Sequence, residues 1–146
     1  MRKYLILLIL LLGILEAKAQ YNCKVVSSDR ETVTFRVTGY GKKASLAMED
    51  AELSAVKTLC FAGASDTPFR LPLVPIGQTK AEKDFPDFFN NLYTETYKNF
   101  IESSLIVVAF GKDGGKRKCI TLDVRVRASQ LRTHLEQSGI VRKFGL

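Results

Sequence analysis

Thr32-Val33-Thr34-Phe35-Arg36-Val37-Thr38 runs into Gly39-Tyr40-Gly41 and then into a segment spaced Ala44, Ala47, Met48, Ala51, Ala55, Leu59. The fold is decided here, where the apolar period changes from two to between three and four. In the first part Val33, Phe35 and Val37 alternate with Thr32, Thr34, Arg36 and Thr38, the pattern of a strand with one face on a core and the other in water. In the second part the small residues return with helical spacing, which predicts a helix over 42–62 lying close against a sheet. Gly39 and Gly41 are expected to let the backbone turn sharply between the two. As a phosphate-cradling loop, Gly-x-Gly lacks both the third glycine and the lysine that such loops use.

Upstream, Cys23-Lys24-Val25-Val26 followed by Ser27-Ser28-Asp29-Arg30 makes the first strand and turn of a hairpin. Downstream, Leu46, Leu53 and Cys60 form a second apolar line on the Ala-striped helix, to be covered by the next segment or used as a partner seam. Residues 63–84 carry Pro68, Pro72 and Pro75 among Phe69, Leu71, Leu73, Val74 and Ile76. So apolar a loop either packs on the core or forms a binding surface, which makes Phe69, Leu71 and Leu73 binding candidates. Pro86 suits the first turn of a second helix. Its broad face holds Phe85, Phe89, Leu92, Tyr93, Thr96, Tyr97 and Phe100, with Tyr93 and Tyr97 as further candidates because each phenol needs a polar partner. The continuous apolar run Leu105 to Phe110 reads as a strand covered on both faces. After a turn at Gly111 to Gly115, Lys118 to Arg127 alternates, with Ile120, Leu122, Val124 and Val126 inward. Ser129 is expected to cap a short helix closed by Gly139 and Ile140.

The chain has 146 residues and a net charge of +7. Its start, basic Met1-Arg2-Lys3, apolar Tyr4 to Leu15 and Ala17-Lys18-Ala19, reads as a secretory signal peptide over 1–19, cleaved between Ala19 and Gln20. The apolar run is too short to span a bilayer. Cys23 follows Gln20-Tyr21-Asn22 rather than a small-residue lipobox, so a soluble product with no transmembrane segment is expected. Residues 20–146 are then a single α+β domain: an antiparallel sheet of about four strands packed on two main helices, with a short C-terminal helix. The mature charge becomes +5, and export to the periplasm or beyond turns that charge away from nucleic acid and towards anionic lipid or glycan. An oxidising compartment permits one bridge among Cys23, Cys60 and Cys119. Three pairings are open, with Cys23 to Cys119 preferred because both fall on or beside strands.

Arg36, Arg125 and Arg127 are candidates to share the outward sheet face, where guanidinium groups bind anions bidentately; the alternative is a plain solvated face. Lys112, Lys116, Arg117 and Lys118 crowd one hairpin tip. His134 is the only imidazole, and no triad pattern surrounds it. The cysteine spacings and the single histidine match no metal site, and no cofactor is expected.

Val37 to Gly41, the stripe Ala44, Ala47, Ala51 and Ala55, and Val124-Arg125-Val126 followed by Leu131-Arg132 and Leu135 resemble the N-terminal module of the flagellar assembly protein T family and related envelope lipoproteins. The Ala-rich helix, Pro72-Leu73-Val74 and the ending Arg142 to Gly145 are also similar to small secreted bacterial proteins, a likeness that implies no particular activity. The first resemblance implies a sheet-and-helix module used for association in the cell envelope. The leading expectation is therefore a non-enzymatic envelope or periplasmic interaction module. A binder of anionic glycan or lipid is the alternative, and a small hydrolase is a third reading.

Overall fold

The computed structural model describes residues 22–143; the cleavage site at Ala19 and Gln20 lies outside them. The alternating segments become strands. Strand β1 (Cys23–Ser28) pairs antiparallel with β2 (Val33–Tyr40), β2 with β4 (Lys118–Val126), and β4 with β3 (Ile101–Lys112), giving the order β1-β2-β4-β3. Val33, Phe35 and Val37 stand opposite Val126, Val124 and Leu122, and all six are buried. Each fully buried aliphatic or aromatic side chain of this kind contributes about 1.5–3 kcal/mol.

Helix α1 (Ala44–Phe61) packs on β2 and β4 through Ala47, Ala51 and Ala55. The glycines serve this contact rather than a turn. A Cβ on Gly39 would sit 2.0 Å from the Ala47 carbonyl oxygen, and one on Gly41 2.7 Å from the Ala47 nitrogen. Neither glycine has positive φ, so the expected sharp turn gives way to close approach of two backbones.

The remaining helices gather beside α1. The second predicted helix is divided: α2 (Gln78–Asp84), α3 (Pro86–Thr94) and a 3-10 turn (Thr96–Phe100) lead directly into β3. Helix α2 lies in the stretch expected to be irregular. Pro86 occupies the first turn of α3 as expected. The last helix, α4 (Ala128–Gln137), starts without a side-chain cap, so Ser129 does not cap it. Instead the Ser129 N–H donates to the Glu31 carbonyl at 3.0 Å. Its end is as expected: Gly139 adopts φ +72° and the Ile140 N–H donates back to the Leu135 carbonyl. The whole is an α+β fold with helices on one face of an antiparallel sheet.

Three strands follow their sequence pattern and β3 does not. The run read as doubly covered is the sheet's edge: Leu105 is 66 % exposed, Ile106 60 %, Val107 42 % and Val108 58 %. Helix α1 is laid along β2 and β4, so it shields Leu122 completely but leaves Leu122's register partner Ile106 in the open.

Candidate functional site

The outward sheet face gathers the arginines singled out in the sequence, but they are already engaged. Arg36 stands opposite Asp123 and binds it through two parallel contacts, Nε to Oδ1 at 2.8 Å and Nη2 to Oδ2 at 2.9 Å. That fork holds the Asp123 carboxyl below, and the Arg36 guanidinium above, its ordinary range, with the hydrogen bond as the larger cause in both. Arg125 donates to Asp29 Oδ2 at 3.0 Å and Thr32 Oγ1 at 3.1 Å, and its Nε lies 2.6 Å from Glu102 Oε2. Arg127 reaches the Asn99 carbonyl at 3.5 Å. A face on which three carboxylates take two guanidinium groups has little left for an external anion.

Asp29 anchors this network in the β1–β2 turn. The backbone N–H groups of Glu31 and Thr32 and the Thr32 hydroxyl all donate to its carboxylate. With Arg125 added, they lower its pKa to about 2.

The proline-rich segment covers the core instead of offering itself. Phe69 and Leu73 are buried, and the N–H groups of Leu73 and Val74 donate to the carbonyls of Leu59 and Cys60 at the end of α1. Leu71 alone of that trio remains outside, 67 % exposed. Tyr93 and Tyr97 line a shallow groove of about 400 Å³ with Leu46, Glu49, Asp50 and Leu53. The Tyr93 hydroxyl donates to Glu82 at 2.7 Å, and the Lys57 ammonium sits 4.1 Å above its ring. Burial, then the charges of Glu49 and Glu52, push the Tyr97 phenol up to about 12. Both phenols therefore sit among structural contacts.

All three cysteines are free, which corrects the expected Cys23 to Cys119 bridge. Cys23 pairs with Val37 on the covered face, whereas Cys119 pairs with Tyr40 on the open one. With β2 between their strands, the two residues are separated by two strand spacings of about 4.8 Å and by the sheet itself, beyond disulfide reach. Burial raises the Cys23 thiol to about 11 and Cys60 to about 12. His134 lies between the rings of Phe88 and Phe100, at 5.4 and 5.3 Å. Among the described residues no group of three His, Cys, Asp or Glu side chains is placed to hold a metal, and no helix is long and apolar enough to cross a membrane.

What remains available is the outer edge of β3. Along it Leu105, Ile106, Val107 and Val108 are exposed in succession, and among the described residues no strand neighbours this side of β3. A strand edge of this kind binds another extended chain by main-chain hydrogen bonding, with alternate side chains adding apolar contact. The sequence does not mark these four residues as candidates, because an unbroken apolar run looks the same whether covered or not. In comparisons with known proteins, no family model matches this chain, and neither a curated protein nor a solved structure matches it.

Proposed function

We propose that this protein is an exported, non-enzymatic association module of the bacterial cell envelope that recognises an extended segment through the free edge of β3. The observation that carries the reading is the exposed run Leu105 to Val108 on a twelve-residue strand that, among the described residues, pairs with β4 alone. Native proteins blunt such edges with charge, proline or bulges; between Leu105 and Phe110 there is no charge and no proline, and the strand is bent by bulges alone. The leader-like residues 1–19 and the resemblance to envelope modules support the location. Anion binding through Arg36 and Arg125 is the weaker reading, because both are held by carboxylates at 2.6–3.0 Å.

The test is site-specific photo-crosslinking in growing cells, with the reactive residue placed at Val107 on β3 or at Lys24 on β1. Adducts from position 107 with none from position 24, in the envelope fraction, are expected. Equal labelling from both edges, or none from either, overturns the reading.

A further inference from the structure

The middle of the sheet and one of its ends treat positive charge differently. In the middle, Arg36 and Arg125 are held by Asp123, Asp29 and Glu102. At the end where β2 and β3 finish and β4 begins, Lys112 stands opposite Lys118, and the Gly41 N–H donates to the Lys118 carbonyl at 3.2 Å. Lys42 and Lys43 follow Gly41, and Lys116 and Arg117 lie in the β3–β4 turn. All six of these cations are exposed, and among the described residues none of them forms an ion pair. Two carboxylates at this end are taken by backbone: Asp113 accepts from the N–H groups of Gly115 and Arg117, and Asp50 from that of Tyr40. Helix α1 also opens here, at Lys43, with no capping side chain and no acidic residue in its first turn, so its dipole adds to the positive potential.

We propose that this end of the sheet docks the protein on a bilayer of anionic phospholipid, with Lys42, Lys43, Lys112, Lys116, Arg117 and Lys118 against the headgroup phosphates. The proposal goes beyond edge recognition by β3 and does not depend on it. Charge complementarity is its first support, because a cluster of this size suits a surface that presents many phosphates at once. The cost of the cluster is the second. Lys112 directly opposite Lys118 destabilises a sheet, and a local conflict of this kind is what a binding surface retains when the opposite charge comes from outside. The third chooses lipid over an acidic glycan. Leu46, whose Cβ lies 2.9 Å from where a Gly41 Cβ would stand, is 48 % exposed beside Lys42 and Lys43. An aliphatic side chain among cations matches the boundary between headgroups and acyl chains, whereas a soluble polyanion has no use for it.

The experiment is co-sedimentation of the chain from Gln20 onward, the form that export leaves, with vesicles of phosphatidylglycerol and phosphatidylcholine in equal parts or of phosphatidylcholine alone. Binding to the anionic vesicles only is expected, with release when salt is raised from about 0.1 M to 1 M, which shortens the screening length from about 10 Å to 3 Å. Each basic residue near such a surface is worth about fivefold in partition, so K112Q/K118Q is expected to weaken binding about tenfold or more while melting no lower than the wild type. R30Q/R70Q removes equal charge from the β1–β2 turn and from beyond the far end of α1, about 27 Å along the helix, and is expected to bind within about twofold of the wild type, because that distance exceeds the screening length. L46S is expected to weaken vesicle binding about threefold and to leave binding to a soluble sulfated polysaccharide unchanged. Three results overturn the proposal: equal binding to both kinds of vesicle, equal losses in K112Q/K118Q and R30Q/R70Q, or capture by the polysaccharide with no binding to anionic vesicles. Crosslinking from Val107 is read separately, so failure here leaves the β3 reading standing.

Discussion

At one edge of the sheet β1 offers six residues, with Lys24, Ser27 and Ser28 among them and a register shift between Val25 and Ser27. At the other, β3 offers twelve residues and four consecutive exposed aliphatics. Both strands lie beside the same pair, β2 and β4, so the difference arises in the finish given to each edge. Both edges carry register irregularities, but the β1 edge is also short and polar, further means of keeping sheets from pairing with one another. The β3 edge is bent by bulges yet left apolar. Lysine is one of the residues that blunt an edge, and β3 carries Ile106 and Val108 there instead; this contrast in side chains gives the exposed run its meaning.

The most severe way to break the comparison is to remove the scaffold that both edges share. Gly39→Val places a side chain where even a Cβ comes 2.0 Å from the Ala47 oxygen and 2.6 Å from the Ala51 nitrogen. Backbone cannot yield as a side-chain tip can, so a loss of about 3 kcal/mol or more is expected. Denaturant unfolding checks it; wild-type stability in this variant would mean that α1 does not rest on β2 as described.

A sharper comparison uses the two register partners Leu122 and Ile106, which face the same side of the sheet and differ in cover. Leu122→Ala is expected to cost about 2–5 kcal/mol through the cavity it leaves. Ile106→Ala is expected to change monomer stability by no more than about 0.5 kcal/mol. Thermal unfolding of dilute samples reads both. A large loss at Ile106 would show that this edge is covered within the single chain, and the reason to seek a partner there would disappear.

The same pair shows what the sequence reveals and where it stops. Strands β2 and β4 alternate, and alternation encodes a face, so Val33, Phe35, Leu122 and Val124 are identifiable as core from spacing alone. The Ala stripe of α1 is legible for a similar reason, since a period near 3.6 specifies one side of a helix. Leu105 to Phe110 has no alternation, and an apolar run states only that water is disfavoured, not which element excludes it. The placement of α1 decides that, and α1 is seated by Gly39 and Gly41, whose pairing with Ala47 is a tertiary fact. The arginines tell the same story in electrostatic form. Arg36 looks free in the sequence because its acceptor, Asp123, is 87 residues away, and Arg125 meets Asp29 across 96. The proline-rich segment is ambiguous in the sequence, because what turns Phe69 and Leu73 inward is a set of backbone bonds to Leu59 and Cys60, on a different element.

The smallest effect concerns the turn that closes the β1 edge. Asp29 is held at about 2 rather than 3.8 by the N–H groups of Glu31 and Thr32, the Thr32 hydroxyl and Arg125. Because folding depresses this pKa, the ionised carboxylate supports the native state above about pH 4, and that support is lost as the pH falls from about 4 to 2. Asp123, lowered by Arg36, acts in the same direction but ties β2 to β4, in the middle of the sheet. Acid is therefore expected to loosen the β1 end before the β3–β4 hairpin. In hydrogen exchange near pH 2.5, the amides of Cys23 to Ser28 lose protection ahead of those of β4. Asp29→Asn cannot titrate, so its melting temperature should lie below that of the wild type at pH 6 and approach it as the pH falls through that window. A gap that stays constant from pH 6 to pH 2 would mean that the turn does not depend on the charge of Asp29. The polar finish of the β1 edge would then rest on its hydrogen bonds alone.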